Sequence, residues 1–255
     1  MNRLDQLFSS KKNILNIYTT AGYPKLNDTV EIVNELAASG VDMVEIGMPF
    51  SDPLADGPTI QHSSEVAIQN GITLDIIFDQ IKEIRTTTNI PIMLMGYLNQ
   101  VEKYGTEQFL SKAKAVGVDG LILPDLPLDI YLKDYKNLVE ANQLKMSFLI
   151  TPQTSEERIK LIAQESSAFL YVVSSYAITG SKNSIDSHQI DYFNRINNLD
   201  IKVPKLIGFG ISNAKTFETA CRYADGAIIG SAFIKMITTA KNIPQEVMSF
   251  IKGVK

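Results

Sequence analysis

The chain has 255 residues, 45% of them hydrophobic and 20% charged, which gives ample core for one large domain, and its formal net charge of −4 gives no sign of nucleic acid or an anionic membrane as partner. A single cysteine, Cys221, excludes an internal disulfide framework and fits a reducing compartment, and with only His62 and His188 the chain lacks the usual ligands of a zinc site. The early charges of Met1-Asn2-Arg3-Leu4-Asp5 are not a secretory signal, and no apolar run reaches the roughly 18 residues needed to span a bilayer, so a cytoplasmic location is expected.

Short apolar runs alternate with longer amphipathic ones. Residues 3–10 read as a short helix, and Ile14 to Thr20 as a first strand closed by Ala21-Gly22-Tyr23-Pro24. Asn27 is expected to cap a helix to about Ser39, and Gly40-Val41-Asp42 turns into a second strand, Met43 to Gly47. A helix starts near Pro58, is interrupted at Asn70-Gly71, and resumes from about Leu74 to Arg85. Strand three is expected over Ile92 to Tyr97, helix three over about 104–115, strand four over Gly120 to Leu123 and helix four over about 128–141. Lys145 to Ile150 is strand five, and Thr154-Ser155-Glu156-Glu157 opens the next helix with a cap and first-turn acids. Strand six is Ala168 to Val173, followed by a long loop, about 174–187, and a helix at about 189–198. Strand seven is Lys205 to Phe209, with a helix at about 213–222, and strand eight is Ala227 to Ile229, with a last helix or two.

Eight strands, seven of them plainly followed by a helical pattern, imply a parallel sheet with right-handed crossovers. Within this length they predict an α/β fold of one domain over residues 1–255, a (β/α)8 TIM barrel with an extra N-terminal helix. The rival, an open doubly wound sheet, calls for a glycine fingerprint after strand one, where Gly22 stands alone.

Barrel enzymes keep their chemistry at the C-terminal ends of the strands and in the loops that follow. Glu45 shares a strand face with Met43 and Gly47 and is the one acid of an apolar strand. Burial there raises its pKa towards working pH, which suits proton transfer; the plainer reading is a strand-end carboxylate bound by loop amides. Asp56 stands in the proline-kinked loop Ser51-Asp52-Pro53-Leu54-Ala55-Asp56-Gly57-Pro58, either as a second working acid or as ordinary Asp-Gly turn chemistry. Glycines after strands six, seven and eight, in Thr179-Gly180-Ser181, Gly208-Phe209-Gly210 and Gly230-Ser231, suit a phosphate held by backbone amides, the last two sets just before helices. Tyr18, Tyr97 and Tyr171 are core aromatics or, if they face inward near the top, walls for a flat ligand. The 174–187 loop is a lid or a plain surface loop.

The run Glu45-Ile46-Gly47-Met48-Pro49-Phe50-Ser51-Asp52-Pro53-Leu54-Ala55-Asp56-Gly57-Pro58-Thr59-Ile60-Gln61 resembles the signature of the tryptophan synthase alpha chain family. The likeness continues through Thr19-Thr20-Ala21-Gly22-Tyr23-Pro24, Tyr97-Leu98-Asn99, Leu123-Pro124-Asp125-Leu126-Pro127, Thr179-Gly180, Gly208-Phe209-Gly210-Ile211-Ser212 and Asp225-Gly226-Ala227-Ile228-Ile229-Gly230-Ser231, so it covers nearly the whole chain. The resemblance implies a barrel that cleaves indole-3-glycerol phosphate to indole and glyceraldehyde-3-phosphate. It implies no cofactor in this chain, and a PLP-bearing beta subunit that receives the indole within an α2β2 assembly.

By the same resemblance Glu45 is the general acid/base, Asp56 the second catalytic acid, and Tyr171 lies close to the reacting chain. Tyr18, Met95 and Leu123 enclose the indole, the loop around Phe209 and Gly210 with Gly180, Gly230 and Ser231 holds the phosphate, and Thr179 closes a lid onto Asp56. The chain departs from the family at Ala177, where members usually carry glycine, and at Gln100, where many carry proline. Gln100 lies beside Glu102 and Lys103 where the partner is expected, and would mark a different docking surface. Two other readings are a barrel kept to bind and activate its partner, and another phosphate-binding barrel enzyme. The second needs further acid, base or lysine groups at strand ends, whereas Lys145 and Lys205 sit at strand starts.

Overall fold

Apolar runs too short to bury themselves close on one another. The computed structural model describes residues 2–174, 186–208 and 210–255. Among them, helix α1 (Arg3–Ser10) precedes β1 (Ile14–Thr20), α2 (Asp28–Ala38), β2 (Met43–Gly47), α3 (Pro58–Gln69) and α4 (Leu74–Thr87). Then come β3 (Ile92–Met95), α5 (Leu98–Tyr104), α6 (Thr106–Val116), β4 (Gly120–Ile122), α7 (Leu128–Ile130), a π-helical turn (Tyr131–Tyr135) and α8 (Lys136–Ala141). The second half runs β5 (Lys145–Ile150), α9 (Glu156–Glu165), β6 (Leu170–Val173), α10 (Ser187–Asn197), β7 (Lys205–Gly208), α11 (Ala214–Cys221), β8 (Gly226–Ile229), α12 (Ser231–Thr238) and α13 (Ile243–Lys252). The strands pair in parallel in chain order, and β8 closes on β1, forming the expected barrel.

Side-chain alternation divides the core in two. Outward residues such as Ile17, Val44, Ile46, Leu94 and Ile207 pack under the helices. Inward residues Ile14, Met43, Met93, Ile122, Phe169, Leu206 and Ile228 fill the barrel, and Leu4 of α1 joins them from below with Leu7 and Phe8. Phe8 lies 6.1 Å from Phe169, which lies 6.3 Å from Tyr171. An aromatic column thus runs from the helical plug towards the barrel mouth.

Three aspartates before β2, β4 and β8 secure the lower rim. Asp42, Asp119 and Asp225 accept from the backbone N–H of Leu15, Ile92 and Lys205 respectively, at 2.8–2.9 Å. Each also pairs with a cation of the N-terminal segment: Lys11, Arg3 and Lys12 in turn. Asp119 is 2% exposed and also holds Arg85 at 3.0 Å. Asp119→Ala leaves a largely buried guanidinium unpaired. It is expected to cost about 3–5 kcal/mol, seen as a fall in Tm of roughly 10 °C.

The elements depart from expectation where local capping intervenes. Strand three stops at Met95, and Tyr97 caps an unexpected short helix, with its N–H donated to Gln100 Oε1 at 3.0 Å. Strand four ends at Ile122 and strand six begins at Leu170. Asn27 stands at the cap position of α2, but its side chain accepts no cap hydrogen bond. Lys145 lies at the lower end of β5 and pairs with Asp5 at 3.0 Å. Ala177 and the lid expected around it lie outside the described residues.

Candidate active site

Glu45 is fully buried, on the inward face of β2 opposite Tyr18 in register. Its register neighbour on β3 is the apolar Met93, and Asn16 of β1 donates Nδ2 to Glu45 Oε1 at 2.6 Å. Burial disfavours the carboxylate and pushes its pKa up to about 8, and the Asn16 hydrogen bond only partly offsets this. At neutral pH the protonated form is therefore favoured, as a general acid requires.

Asp56 is half-buried in the loop after β2. Its pKa is pushed up to about 6 by burial, against the opposing effect of Tyr97, whose hydroxyl donates to Oδ2 at 3.0 Å. The same Tyr97 oxygen accepts from the Ala55 N–H at 3.0 Å, and Phe50 stacks on the ring at 5.1 Å. Tyr97 thus fixes the acid-bearing loop to the end of β3, a role the sequence left between core and ligand wall. Gln100 contributes too: while its Oε1 caps Tyr97, its Nε2 donates to Pro49 O at 2.9 Å. Both ends of this amide are engaged within the chain, so Gln100 braces the loop.

Two tyrosines connect the acids. Burial first, then the charge of Asp56 and that of Glu45, raise the Tyr18 pKa. For Tyr171 the order is burial, then Glu45, then Asp56. Both rings need glycine opposite them: a methyl at Gly47 would overlap the Tyr18 phenol, and one at Gly208 would lie 2.5 Å from the Tyr171 ring. Tyr18, Asp56, Met95, Tyr97 and Pro124 line a common cavity. Glu45, Tyr171 and Leu123 are not among its lining residues. Leu123 is buried in the same cluster as Leu121 and Leu126, while Ile122 takes the inward position on β4. A strand of three residues carries too little alternation to settle that one-residue choice.

At the loops after β7 and β8, two helix N-termini behave differently. Helix α11 caps itself: Asn213 Oδ1 accepts from Thr216 N at 3.0 Å, and Thr216 Oγ1 accepts from the N–H groups of Ser212 and Asn213. Gly230 caps α12 without a side chain, so the first-turn amides that begin at Ser231 have no such partner. Of these two termini, that of α12 is the one whose amides no side chain occupies, and Gly210, in the loop after β7, is exposed at φ +77°. Thr179, Gly180 and Phe209 lie outside the described residues. Among the described residues, no group of His, Cys, Asp and Glu is placed to hold a metal, and no helix is long and apolar enough to cross a membrane.

A closed parallel barrel with two acids of raised pKa at one mouth, beside an uncapped helix terminus, defines a class: a (β/α)8 enzyme equipped for general acid–base chemistry. Residues 4–253 match the family model described as tryptophan synthase alpha chain. The alpha chain of Flavobacterium psychrophilum is 55% identical over 238 residues, 93% of this chain and 94% of that one. That of Parabacteroides distasonis is 48% identical over the full length of both. The solved structure of tryptophan synthase subunit alpha from Legionella pneumophila superposes with a TM-score of 0.90 at 32% identity, covering 100% of this chain and 97% of that one. The chain belongs to the tryptophan synthase alpha chain family. It is a carbon–carbon lyase of indole-3-glycerol phosphate, and an alpha chain of this family has a beta chain as partner.

Proposed function

We propose that Glu45 and Asp56 together carry the cleavage of indole-3-glycerol phosphate. The bond between indole C3 and the glyceryl chain breaks as a retro-aldol, which requires a proton on C3 and places positive charge on the ring nitrogen. Glu45 delivers that proton from its protonated, buried state. Asp56, ionised and held by Tyr97, accepts a hydrogen bond from the ring N–H and stabilises the charge. Glu45, now a carboxylate, takes the glyceryl hydroxyl proton as the aldehyde forms, so acid and base are one group used twice. Tyr18 and Met95 enclose the indole, Tyr171 stands by the reacting chain, and α12 with Gly210, Gly230 and Ser231 holds the phosphate. By the family resemblance Gly180 and Phe209 belong to the substrate site and Thr179 to the closure onto Asp56.

The observation that carries this assignment is the burial of Glu45, which alone keeps a glutamate protonated at neutral pH. We further propose that the chain acts as one domain in the cytoplasm, within an α2β2 assembly that passes indole to a PLP-bearing beta subunit. Leu54, 89% exposed on the Asp56 loop, supports docking at this mouth, because partner contact there would reach Asp56 through the loop. The test is indole release from indole-3-glycerol phosphate, with and without the host's beta chain. Release that rises on adding the beta chain is expected; no release under either condition would defeat the reading.

A further inference from the structure

Glu45 must gain and lose a proton in each turnover inside a fully buried site, and its partner has to tolerate both states. A fixed cation or backbone N–H would favour the carboxylate, and a fixed carbonyl would favour the acid. The partner present is an amide, which offers one of each. Asn16 is itself fully buried, on the inward face of β1, with Met43 of β2 and Ile228 of β8 beside it in register. Its Nδ2 donates to Glu45 Oε1 at 2.6 Å. Its own Oδ1 and Glu45 Oε2 have no hydrogen-bond partner among the described residues. An unused buried acceptor costs free energy, and here it sits one half-turn of the amide away from the group that becomes a donor when protonated.

We propose that Asn16 is a positioning residue for Glu45, donating Nδ2 to the carboxylate and turning over to accept the carboxylic O–H at Oδ1, so that Glu45 keeps one orientation through its whole proton cycle. This rests on the assignment of Glu45 as the group that delivers and reclaims the proton. The other titratable groups facing this region are Tyr18 on β1, Tyr171 on β6 and Asp56 on the loop after β2. The two tyrosines stay neutral through the working range, and Asp56, less buried and bonded by Tyr97, is raised less than Glu45. The alkaline limb of the rate profile therefore isolates Glu45.

Two variants test the proposal: Asn16→Leu, close in shape without either polar end, and Asn16→Ser, smaller and ending short of the carboxyl. In both, the alkaline limb of kcat/KM for indole release is expected to move up by about one pH unit, because both hydrogen bonds are lost and the charge-assisted one to the carboxylate is the stronger of the two. The value of kcat is expected to fall about tenfold with KM little changed, since the orientation lost matters at the proton transfer rather than in binding. In parallel, the Glu45 side-chain carboxyl resonance of 13C-glutamate-labelled protein, assigned by its loss in Glu45→Gln, is expected to titrate higher by the same amount. The resonance separates the two claims. If wild type releases no indole, the catalytic reading fails, while a displaced Glu45 titration still supports the Asn16 contact. A Glu45 titration unmoved in either folded variant would overturn the proposal, whatever the activity.

Discussion

Glu45→Gln is expected to lower kcat for indole release by about 10²–10⁴-fold, the range that a positioned acid–base group supplies. Glutamine is almost the same shape, and its carbonyl oxygen still accepts from Asn16 Nδ2, so the barrel interior and KM should change little. What it lacks is a proton to give to C3 and a carboxylate to take one back. Both halves of the reaction stop, since one group performs both. The variant also removes an acid that burial has made costly to ionise. The folded-state pKa is raised from 4.5 to about 8, so the stability linked to this group is intact below 4.5 and declines as pH rises through 8. Glu45→Gln should therefore match the wild-type Tm at acid pH and exceed it at pH 8. Lost turnover in a more stable protein separates a catalytic role from a structural one. Retained turnover would remove Glu45 from the mechanism.

Asp56→Asn is the second large effect, with kcat expected to fall roughly 10²–10³-fold. Asparagine keeps an acceptor for the Tyr97 hydroxyl and so keeps the loop attached to β3. It removes the negative charge facing the ring nitrogen at the moment that nitrogen becomes positive. The loss should fall on kcat and kcat/KM together, the pattern for an interaction made in the transition state. A rise in KM with kcat unchanged would reduce Asp56 to a binding group.

Much of the barrel could be read from periodicity, because strands such as Ile14–Thr20 and Met43–Gly47 are short, mainly apolar runs followed by turn residues. Glu45 stood out there as the one acid in such a run. Other features rest on contacts between distant segments, which no local pattern encodes. Tyr97 reads as the last residue of an apolar strand, and its hold on Asp56 depends on a loop 41 positions away. Asn16 is a lone amide among Ile14, Leu15 and Ile17, and its meaning appears only when β1 and β2 lie side by side. The self-capping of α11 is legible in the cap spacing of Asn213 and Thr216, but the glycines before them suit an anion equally well. Leu123 illustrates a different limit: it rests on the resemblance alone, and β4 is too short for alternation to check it against Ile122.

The central claim is that burial holds Glu45 protonated at working pH and that this proton starts the cleavage. The pH dependence of kcat/KM for indole release tests it most directly. The acid limb mixes Asp56 with the substrate's own phosphate, which ionises near pH 6, so the alkaline limb is the informative one. The expected result is activity that falls through a single ionisation near pH 8, as Glu45 loses its proton. Activity that stays level or keeps rising to pH 9.5 would contradict it.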